Sequence, residues 1–307
     1  MALDPVFLMG PTAAGKSALA VEFARRLPIE IISVDSAQVY RGLDIGTAKP
    51  EAALRATLTH HLIDLRDPAE HYSAADFVTD ARAAIESCQA RGRLPVLVGG
   101  TMLYFRALQA GLATLPARDP VVRERLAARA AAEGWPALHA ELAGVDPAAA
   151  ARIGANDAQR IQRALEVYAL TGKPLSAFQR EDLKGGTLAT QKYVVAPPDR
   201  ARLKERIAGR LTVMLAAGFV AEVAGLAARP DLSEALSSMR SVGYRQFLPH
   251  VRGAIGLAEA TEATLVATRQ LAKRQLTWLR AEPGTHWLDP DDPRALDTVL
   301  RALDTPR

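Results

Sequence analysis

A short apolar strand runs into a glycine-rich loop in the stretch Val6-Phe7-Leu8-Met9-Gly10-Pro11-Thr12-Ala13-Ala14-Gly15-Lys16-Ser17, and this stretch decides the fold. Residues 10–17 fit the phosphate-loop pattern G-x-x-x-x-G-K-[ST], and residues 18–27 are predicted to continue as a helix. Such a loop turns backbone N–H groups and the positive end of a helix dipole toward one point. Lys16 adds a positive charge, and the Ser17 hydroxyl can ligate Mg²⁺. The stretch therefore predicts a site for a phosphorylated ligand.

Length and composition describe an ordinary globular protein. The chain has 307 residues, of which 49% are hydrophobic and 23% charged, which suits one large domain or two. Cys88 is the only cysteine, so a disulfide framework and a thiolate metal cluster are excluded. Asp4, Pro5 and Gly10 interrupt the apolar N-terminus, and no later run is long enough to span a bilayer. We therefore expect a cytoplasmic protein with no membrane partner. We also expect a monomer, although one sequence does not give the oligomeric state.

Positive charge is concentrated in one part of the chain. The formal net charge is only +4, but residues 200–280 contain 13 Lys or Arg residues against 6 Asp or Glu residues. A local basic surface indicates a polyanionic partner, although solvated helix faces also accumulate arginine. Charge alone therefore leaves nucleic acid open as a partner.

The first third of the chain alternates short apolar runs with amphipathic helices. Strands are predicted at 29–34 and 95–98, and Ser73-Ala74-Ala75-Asp76 has the form of a capping box that opens a helix to about Arg91. This rhythm implies right-handed crossovers and a parallel α/β sheet. Ligands bind at the carboxyl ends of such strands, which here run into residues 10–17, 35–36 and 99–101.

The middle of the chain has a different pattern. From about Arg118 to Gly186 helical periods dominate, which predicts a helical insertion. Residues 192–196 are predicted to form a returning strand, followed by helices over 201–226 and 259–280. We therefore expect a first core segment at 1–117, the insertion at 118–189 and the rest of the core at 190–307. The tail after Glu282 is polar and rich in proline, which predicts loose packing.

Two polar residues follow predicted strands and are candidates for chemistry. Asp35 either points into the ligand crevice or caps a turn, and the residue pattern does not decide between these roles. Thr101 either caps the next helix or contacts phosphate or substrate. The polar stretch 38–50 is predicted to be an ordered recognition loop. His60-His61 lacks a third metal ligand at a suitable spacing, so structural histidines are favoured.

Three basic helix faces favour nucleic acid when they are taken together. Arg160 and Arg163 share one face, Arg206 and Arg210 are i, i+4 neighbours, and a third stripe comprises Arg269, Lys273 and Arg280 near Trp278. Each face alone is typical of a solvated helix. Together, with aromatic residues close by, they suit phosphate contacts and base stacking.

With these residues assembled, the chain closely resembles the tRNA dimethylallyltransferase family, prenyltransferases that modify the adenosine just 3′ of the anticodon. The family's loop GPTASGK[ST] matches residues 10–17, with Ala14 where serine is usual, a small departure because backbone amides hold the ligand there. The motif DSxQVY…DIGTAKP matches 35–50, NDxQRIxRALEV matches 156–167, R-x-x-GYR matches 240–245, and RQLAKRQxTWLR matches 269–280. So many motifs in one order leave little room for coincidence.

The resemblance implies a P-loop-type parallel sheet flanked by helices, with an all-helical insertion domain that grips the tRNA anticodon stem-loop. The donor is dimethylallyl diphosphate, held by the loop through Thr12, Lys16, Ser17 and Arg210, with Mg²⁺ beside Ser17. The target adenine is flipped out, its exocyclic amine attacks the allylic carbon, and diphosphate leaves. Asp35 accepts the amine proton, and Thr101 helps to hold the site.

A carboxylate is far too weak a base to deprotonate the neutral amine of adenine. We therefore expect Asp35 to orient the amine early and to accept its proton late, as the C–N bond forms. The relative weight of Arg206 and Arg210 at the diphosphate stays open.

The resemblance also implies a set of residues that contact tRNA. They are Asp35, Ser36, Ala37, Gln38, Thr101, Arg123, Gln159, Arg160, Ile161, Gln162, Arg163, Arg240, Gly243, Tyr244, Arg245, Lys273, Arg274, Gln275, Trp278 and Arg280.

Three alternatives use the same loop. A small-molecule kinase would use ATP, but it needs neither a basic helical insertion nor the stripe at Trp278. A nucleic-acid-stimulated NTPase needs a water-activating carboxylate after another strand, and residues 96–101 end with none. An isopentenyltransferase acting on free adenine nucleotides is disfavoured by the tRNA-type motif at 159–163.

Overall fold

The structure is a computed structural model, and it describes residues 4–111, 113, 115–181 and 188–304. The described residues form two compact units. One consists of the residues up to Leu108 and from Ala189 onward, and the other runs from Gln109 to Leu188. The helical insertion predicted from the sequence covers 118–189, whereas this second unit covers 109–188. Residues 182–187 of that expected insertion lie outside the described part of the chain.

The first unit is built on a parallel sheet of six strands within the described ranges. Its strands are β1 (Val6–Met9), β2 (Ile29–Val34), β3 (His60–His61), β4 (Leu94–Gly99), β5 (Gln191–Val195) and β6 (Thr285–Leu288). Their order is β3-β2-β4-β1-β5-β6, and every pair is parallel. The predicted parallel α/β fold is therefore confirmed.

Helices cover both faces of this sheet, because the central strands are apolar on both sides. All residues of β1, β2 and β4 are buried. On one face Leu8 packs in a cluster with Phe23 and Val299, and on the other Phe7 lies 5.0 Å from the ring of Phe105. This two-sided burial is typical of parallel sheets.

The helices of the first unit follow the strands in sequence. They are α1 (Lys16–Ala24), α2 (Ala52–Thr57), α3 (Ala74–Ala90), α4 (Met102–Ala110, whose last two residues belong to the second unit), and, after the second unit, α10 (Arg200–Ala216), α11 (Phe219–Ala227), α12 (Tyr244–Val251), α13 (Leu257–Ala281) and α14 (Ala295–Asp304). The capping box predicted at Ser73 is present, with the Asp76 amide donating to Ser73 Oγ at 3.2 Å. The helical segment predicted over 201–226 consists of α10 and α11, which are separated by Ala217 and by Gly218, whose φ is 99°.

The C-terminal tail is packed, contrary to the expectation of loose packing. Strand β6 pairs with β5, and Leu288 is buried. Helix α14 adds the buried Ala295 and Val299 to the core cluster that contains Phe23 of α1. Only one side of this helix is apolar, so the polar composition of the tail concealed it.

The regular secondary structure of the second unit is entirely helical within its described residues. Its helices are α5 (Pro120–Glu133), α6 (Trp135–Val145), α7 (Pro147–Ala150), α8 (Ala158–Thr171) and α9 (Leu175–Glu181). A core cluster joins them, with Leu138, Leu142 and Ile161 fully buried. This unit therefore has a hydrophobic core of its own.

Within the described residues, no single helix is long and apolar enough to cross a membrane. The pair α10–α11 meets the length and composition criteria only when its two helices are joined across a bend of 67°.

Candidate active site

Three loops meet where β1, β2 and β4 end. The amide of Thr101 donates to the carbonyl of Val34 at 3.2 Å, and the amide of Ser36 donates to Thr101 Oγ1 at 3.2 Å. A Cβ on Gly99 would lie 2.0 Å from Val34 O, so this close approach requires glycine. The structure thus joins the turn at Asp35 to the turn at Thr101, as the strand ends predicted.

The phosphate loop adopts a closed conformation around Lys16. Gly15 precedes α1 with a φ of 96°, a conformation that favours glycine. Lys16 Nζ donates to Pro11 O at 2.7 Å, and the Ala14 amide donates to the same carbonyl at 3.3 Å. The first N–H groups of α1, from Lys16 onward, have no intrahelical partner and remain suited to an anion.

Two cations face each other at this loop. Arg210 of α10 donates to Thr12 Oγ1 at 3.2 Å. Burial, reinforced by the charge of Arg210, lowers the pKa of Lys16 to about 7, while the charge of Asp35 acts in the opposite direction. Burial also lowers the pKa of Arg210. An anion bound between the two would relieve both effects, so the site is electrostatically prepared for one.

Arg206, one turn earlier on α10, is occupied differently. It forms an ion pair with Asp291 in the segment after β6, and its Nη1 lies 3.2 Å from the position of a Cβ on Gly15. It is therefore close to the loop, but its charge is already partly compensated.

Gln275 of α13 connects the phosphate loop with the turn after β4. Its Oε1 accepts a hydrogen bond from the Thr12 amide at 2.9 Å, and its Nε2 donates to Gly100 O at 2.8 Å. The resemblance assigned Gln275 to tRNA, whereas the structure engages its amide with the backbone of the site.

Asp35 uses one carboxylate oxygen to cap its own turn. Its Oδ1 accepts from the amides of Ala37 at 2.8 Å and Gln38 at 3.3 Å. The Gln38 side chain in turn accepts from Ser33 Oγ at 2.9 Å and donates to Thr47 O at 3.1 Å. No hydrogen bond from the described residues reaches Oδ2 of Asp35, so one oxygen remains for a ligand. Capping and ligand contact are therefore compatible.

Glu222 of α11 anchors the loop that Gln38 touches. Its carboxylate accepts from the amides of Asp44 at 3.0 Å, Ile45 at 2.7 Å and Gly46 at 3.0 Å, and from the Tyr244 hydroxyl at 2.6 Å. Burial raises the pKa of Tyr244, so its hydroxyl remains a donor. Sequence reasoning missed Glu222, because a single glutamate on a helix gives no signal.

Two residues of the expected tRNA set support this anchor instead. Tyr244 is fully buried, and Gly243 packs so closely that a Cβ there would lie 3.1 Å from the Phe219 ring. The Tyr244 side chain and the side-chain position of Gly243 face the core, so neither residue offers a side chain to tRNA. Arg240 and Arg245, from the same motif, are exposed.

Helix α13 presents an exposed basic and aromatic face. Lys273, Arg274 and Arg280 are exposed, and Trp278 retains 44% of its surface. The Arg106 guanidinium lies 5.8 Å from the Trp278 ring centroid, which restrains the ring. This face can offer charge and a stacking surface to nucleic acid.

In the second unit, the buried Glu166 pairs with some of the basic residues that were predicted to contact tRNA and leaves others exposed. Glu166 is fully buried and pairs with Arg163 at 2.8 Å and Arg123 at 3.4 Å. Arg123 also donates to Gln162 Oε1 at 2.9 Å. These three side chains therefore stabilise the unit. Gln159 and Arg160 are exposed and remain candidates for tRNA contact. Ile161 is buried in the core of the unit, so its side chain is not available to tRNA.

A second polar cluster lies away from these loops, under the end of α3. Glu30 Oε2 is 2.7 Å from His61 Nε2 and 3.4 Å from Cys88 Sγ, and Arg91 contacts both oxygens of Glu30, at 3.1 and 2.6 Å. The Arg91 hydrogen bonds lower the pKa of Glu30 to about 2, and burial raises the pKa of Cys88 to about 12. Glu30 and Cys88 are therefore the possible further metal ligands beside His61 that the sequence spacing did not reveal. The charge of the Glu30 carboxylate, however, is already neutralised by Arg91.

The Mg²⁺ that the resemblance implies requires oxygen ligands. The Glu30 cluster, with its thiol and imidazole, does not suit this ion. Ser17 offers an exposed hydroxyl in the first turn of α1. Mg²⁺ commonly takes one or two protein oxygens and fills its remaining positions with water and substrate phosphates, so this donor set fits.

Comparisons with known proteins agree on one family. The family model described as IPP transferase matches residues 38–282. The chain is 58% identical to the tRNA dimethylallyltransferase of Alkalilimnicola ehrlichii over 290 residues, covering 94% of this chain and 92% of the relative.

Two solved structures are similar over nearly the whole chain. The full-length tRNA isopentenylpyrophosphate transferase of Bacillus halodurans has a TM-score of 0.71 at 36% identity, covering 98% of this chain and 95% of that one. A eukaryotic dimethylallyltransferase described as acting on tRNA has a TM-score of 0.79 at 27% identity, covering 98% and 78%.

Proposed function

Since the chain belongs to the IPP transferase family, we propose that it transfers a dimethylallyl group from dimethylallyl diphosphate to tRNA. The acceptor is the exocyclic amine of the adenosine 3′-adjacent to the anticodon, and diphosphate is released. One observation carries this proposal: the phosphate loop, with Lys16 and Arg210, shares an edge of the sheet with Asp35 and Thr101. A diphosphate held by the loop therefore has an acceptor-orienting carboxylate nearby.

The donor half of the site stabilises the leaving group. Negative charge builds on the diphosphate as the bond to the allylic carbon breaks. The amides at the start of α1 are fixed by the helix, and Lys16 and Arg210 lie at the same loop, where they would exchange their hydrogen bonds to Pro11 O and Thr12 Oγ1 for the diphosphate. Mg²⁺ beside Ser17, when bound, neutralises part of the diphosphate charge.

The acceptor half orients the nucleophile. An adenine flipped out of the anticodon loop would present its amine to Oδ2 of Asp35, while Oδ1 keeps the turn in place. The amine nitrogen bonds to the primary allylic carbon as the C–O bond to diphosphate breaks. The proton becomes acidic as the C–N bond forms, and Asp35 accepts it late. Thr101 Oγ1 accepts from Ser36, which leaves its own hydrogen free to donate to the substrate.

The tRNA surface is proposed from the exposed members of the predicted set. In the first unit these are Ser36, Arg240, Arg245, Lys273, Arg274, Trp278 and Arg280, and in the second unit they are Gln159 and Arg160. Contacts from several cations to phosphates make binding depend steeply on salt. A tRNA substrate also places the proposed reaction in the cytoplasm.

The test offers the purified chain two donors and two acceptors. Dimethylallyl diphosphate and ATP are each combined with an anticodon stem-loop or with AMP, and products are identified by mass spectrometry. We expect one C5 addition to the stem-loop adenosine, with dimethylallyl diphosphate only. Phosphoryl transfer from ATP would establish a kinase instead, and prenylated AMP would establish the free-nucleotide enzyme.

The Asp35→Asn variant tests the role of the carboxylate within this reaction. The amide oxygen of the asparagine can still accept the hydrogen bonds of the turn, but an amide cannot accept the proton of the amine. We expect unchanged stem-loop affinity and a kcat lower by about 10²- to 10⁴-fold. Wild-type turnover in this variant would refute the assigned role.

A further inference from the structure

One side chain ties together the two loops that the reaction needs in register. The phosphate loop and the turn at Gly100 come from different strands, and Gln275 comes from α13, 263 residues from Thr12 in the chain. Its amide group accepts from Thr12 N at 2.9 Å and donates to Gly100 O at 2.8 Å. Both halves of the amide are therefore used, each on a different loop.

The glycine at position 100 fits this bridge closely. A Cβ at Gly100 would lie 2.4 Å from Gln275 Nε2 and 3.1 Å from Gly10 O. The backbone of the turn, the first residue of the phosphate loop and the Gln275 amide thus pack against each other without room for a methyl group. A displacement of Gln275 therefore either breaks its hydrogen bond to one of the two loops or moves that loop.

We propose that Gln275 is a positioning residue that holds the phosphate loop against the Gly100–Thr101 turn. The proposal rests on the function proposed above and deepens it, since the loop holds the donor and Thr101 serves the acceptor. Gln275 contacts no reacting atom in this scheme. It sets the distance between the group that leaves and the group that attacks, and small errors in such a distance are costly for the rate.

The position of Gln275 on α13 gives the bridge a second consequence. Lys273, Arg274 and Trp278 on the same helix are exposed and belong to the proposed tRNA surface. The helix that meets tRNA on its outer side therefore holds the donor loop from its inner side. Removing the bridge should therefore weaken donor binding and lower the rate, whereas removing the exposed side chains of Lys273, Arg274 or Trp278 should weaken tRNA binding.

The variant that isolates the hydrogen bonds is Gln275→Met, because methionine has nearly the same length and shape but supplies no amide. The matched control is Gln270→Met, on the same helix, where the glutamine is exposed. Gln275→Asn is the second variant, which keeps the amide chemistry but is too short to reach both loops. All three are first compared with wild type by circular dichroism and urea unfolding.

Three quantities are then measured: steady-state prenyl transfer, the affinity for inorganic diphosphate, and the affinity for the anticodon stem-loop. For Gln275→Met and Gln275→Asn we expect kcat to fall about 10- to 100-fold and diphosphate to bind several-fold more weakly. Stem-loop affinity and its salt dependence should stay within about twofold of wild type. Gln270→Met should match wild type in all three.

Weakened stem-loop binding with unchanged diphosphate binding would overturn the proposal and return Gln275 to the tRNA surface. Wild-type kcat and diphosphate affinity in both folded variants would also overturn it. Should the wild type show no prenyl transfer, the proposed function fails, and the diphosphate measurement still tests the bridge by itself.

Discussion

The anchoring of residues 44–46 by Glu222 leads to a prediction whose size can be worked out from its contacts. Replacing Glu222 with alanine removes four hydrogen bonds to a carboxylate, at 3.0, 2.7, 3.0 and 2.6 Å. A hydrogen bond to a charged group contributes roughly 1.5–3 kcal/mol. Asp44 is exposed and its amide can turn to water, so the full sum does not apply.

We therefore expect Glu222→Ala to lower the free energy of unfolding by about 3–5 kcal/mol, with the largest part from the amides of Ile45 and Gly46 and from Tyr244. Glu222→Gln keeps one acceptor oxygen but turns an NH₂ group toward amide donors. Its cost should be about 2–3 kcal/mol. Glu86→Gln, an exposed glutamate in the middle of α3, is the matched control, with an expected change within about 0.5 kcal/mol.

Two measurements check these values. Urea unfolding gives the global effect, and hydrogen exchange with mass spectrometry reports the amides at 44–46 directly. In Glu222→Gln these amides should exchange faster while those of the central strands keep their protection. Unchanged protection of this segment, or a loss of less than about 1 kcal/mol in Glu222→Ala, would refute the assignment of Glu222 as the anchor of the loop.

Three further predictions concern charges. The Arg91 hydrogen bonds hold the pKa of Glu30 at about 2, below its ordinary 4.5, so the stability they confer is present above pH 4.5 and is lost as the pH falls toward 2. In Glu30→Gln the urea midpoint should depend less on pH across that window. A loss of stability as steep as in wild type would contradict this. Asp291→Asn removes the ion-pair partner of Arg206 and should tighten the binding of inorganic diphosphate about two- to fivefold at low salt, as measured by calorimetry. Equal affinities of the variant and the wild type would contradict this. Arg210→Gln should weaken the same binding more than Arg206→Gln does, and the reverse order would show that the paired arginine carries the contact.

Local features of the fold could be predicted because their signals are short-range. The strand, loop and helix at residues 6–27 follow from one motif, and the capping box at Ser73 follows from four consecutive residues. Both are decided by backbone geometry and hydrogen bonds within a few residues. Strand β3 was missed for the opposite reason, since two half-buried histidines show no periodicity.

The supporting contacts of the site could not be predicted, because they join distant segments through single polar side chains. Gln275 reaches Thr12 across 263 residues, and Glu222 reaches Asp44 across 178. A glutamine or glutamate on an amphipathic helix has the same appearance in sequence whether it faces water or a backbone amide. The same limit applies to Arg160 and Arg163, which share a predicted face, although only Arg163 pairs with the buried Glu166.

The phosphate loop alone does not distinguish a nucleotide from a diphosphate leaving group, since helix amides and a lysine bind either anion by the same electrostatics. The difference must lie in what stands opposite the anion. In this chain the opposite side is formed by Asp35 and by Thr101, whose Oγ1 accepts from the amide of Ser36, the residue after Asp35, and Gln275 ties Gly100 to the loop. A kinase also holds its nucleophile in line with its leaving group, so the connection by itself does not separate phosphoryl from prenyl transfer. In the proposed prenyl transfer the connection holds the nucleophile and the leaving group on opposite faces of one carbon atom, where one bond forms as the other breaks.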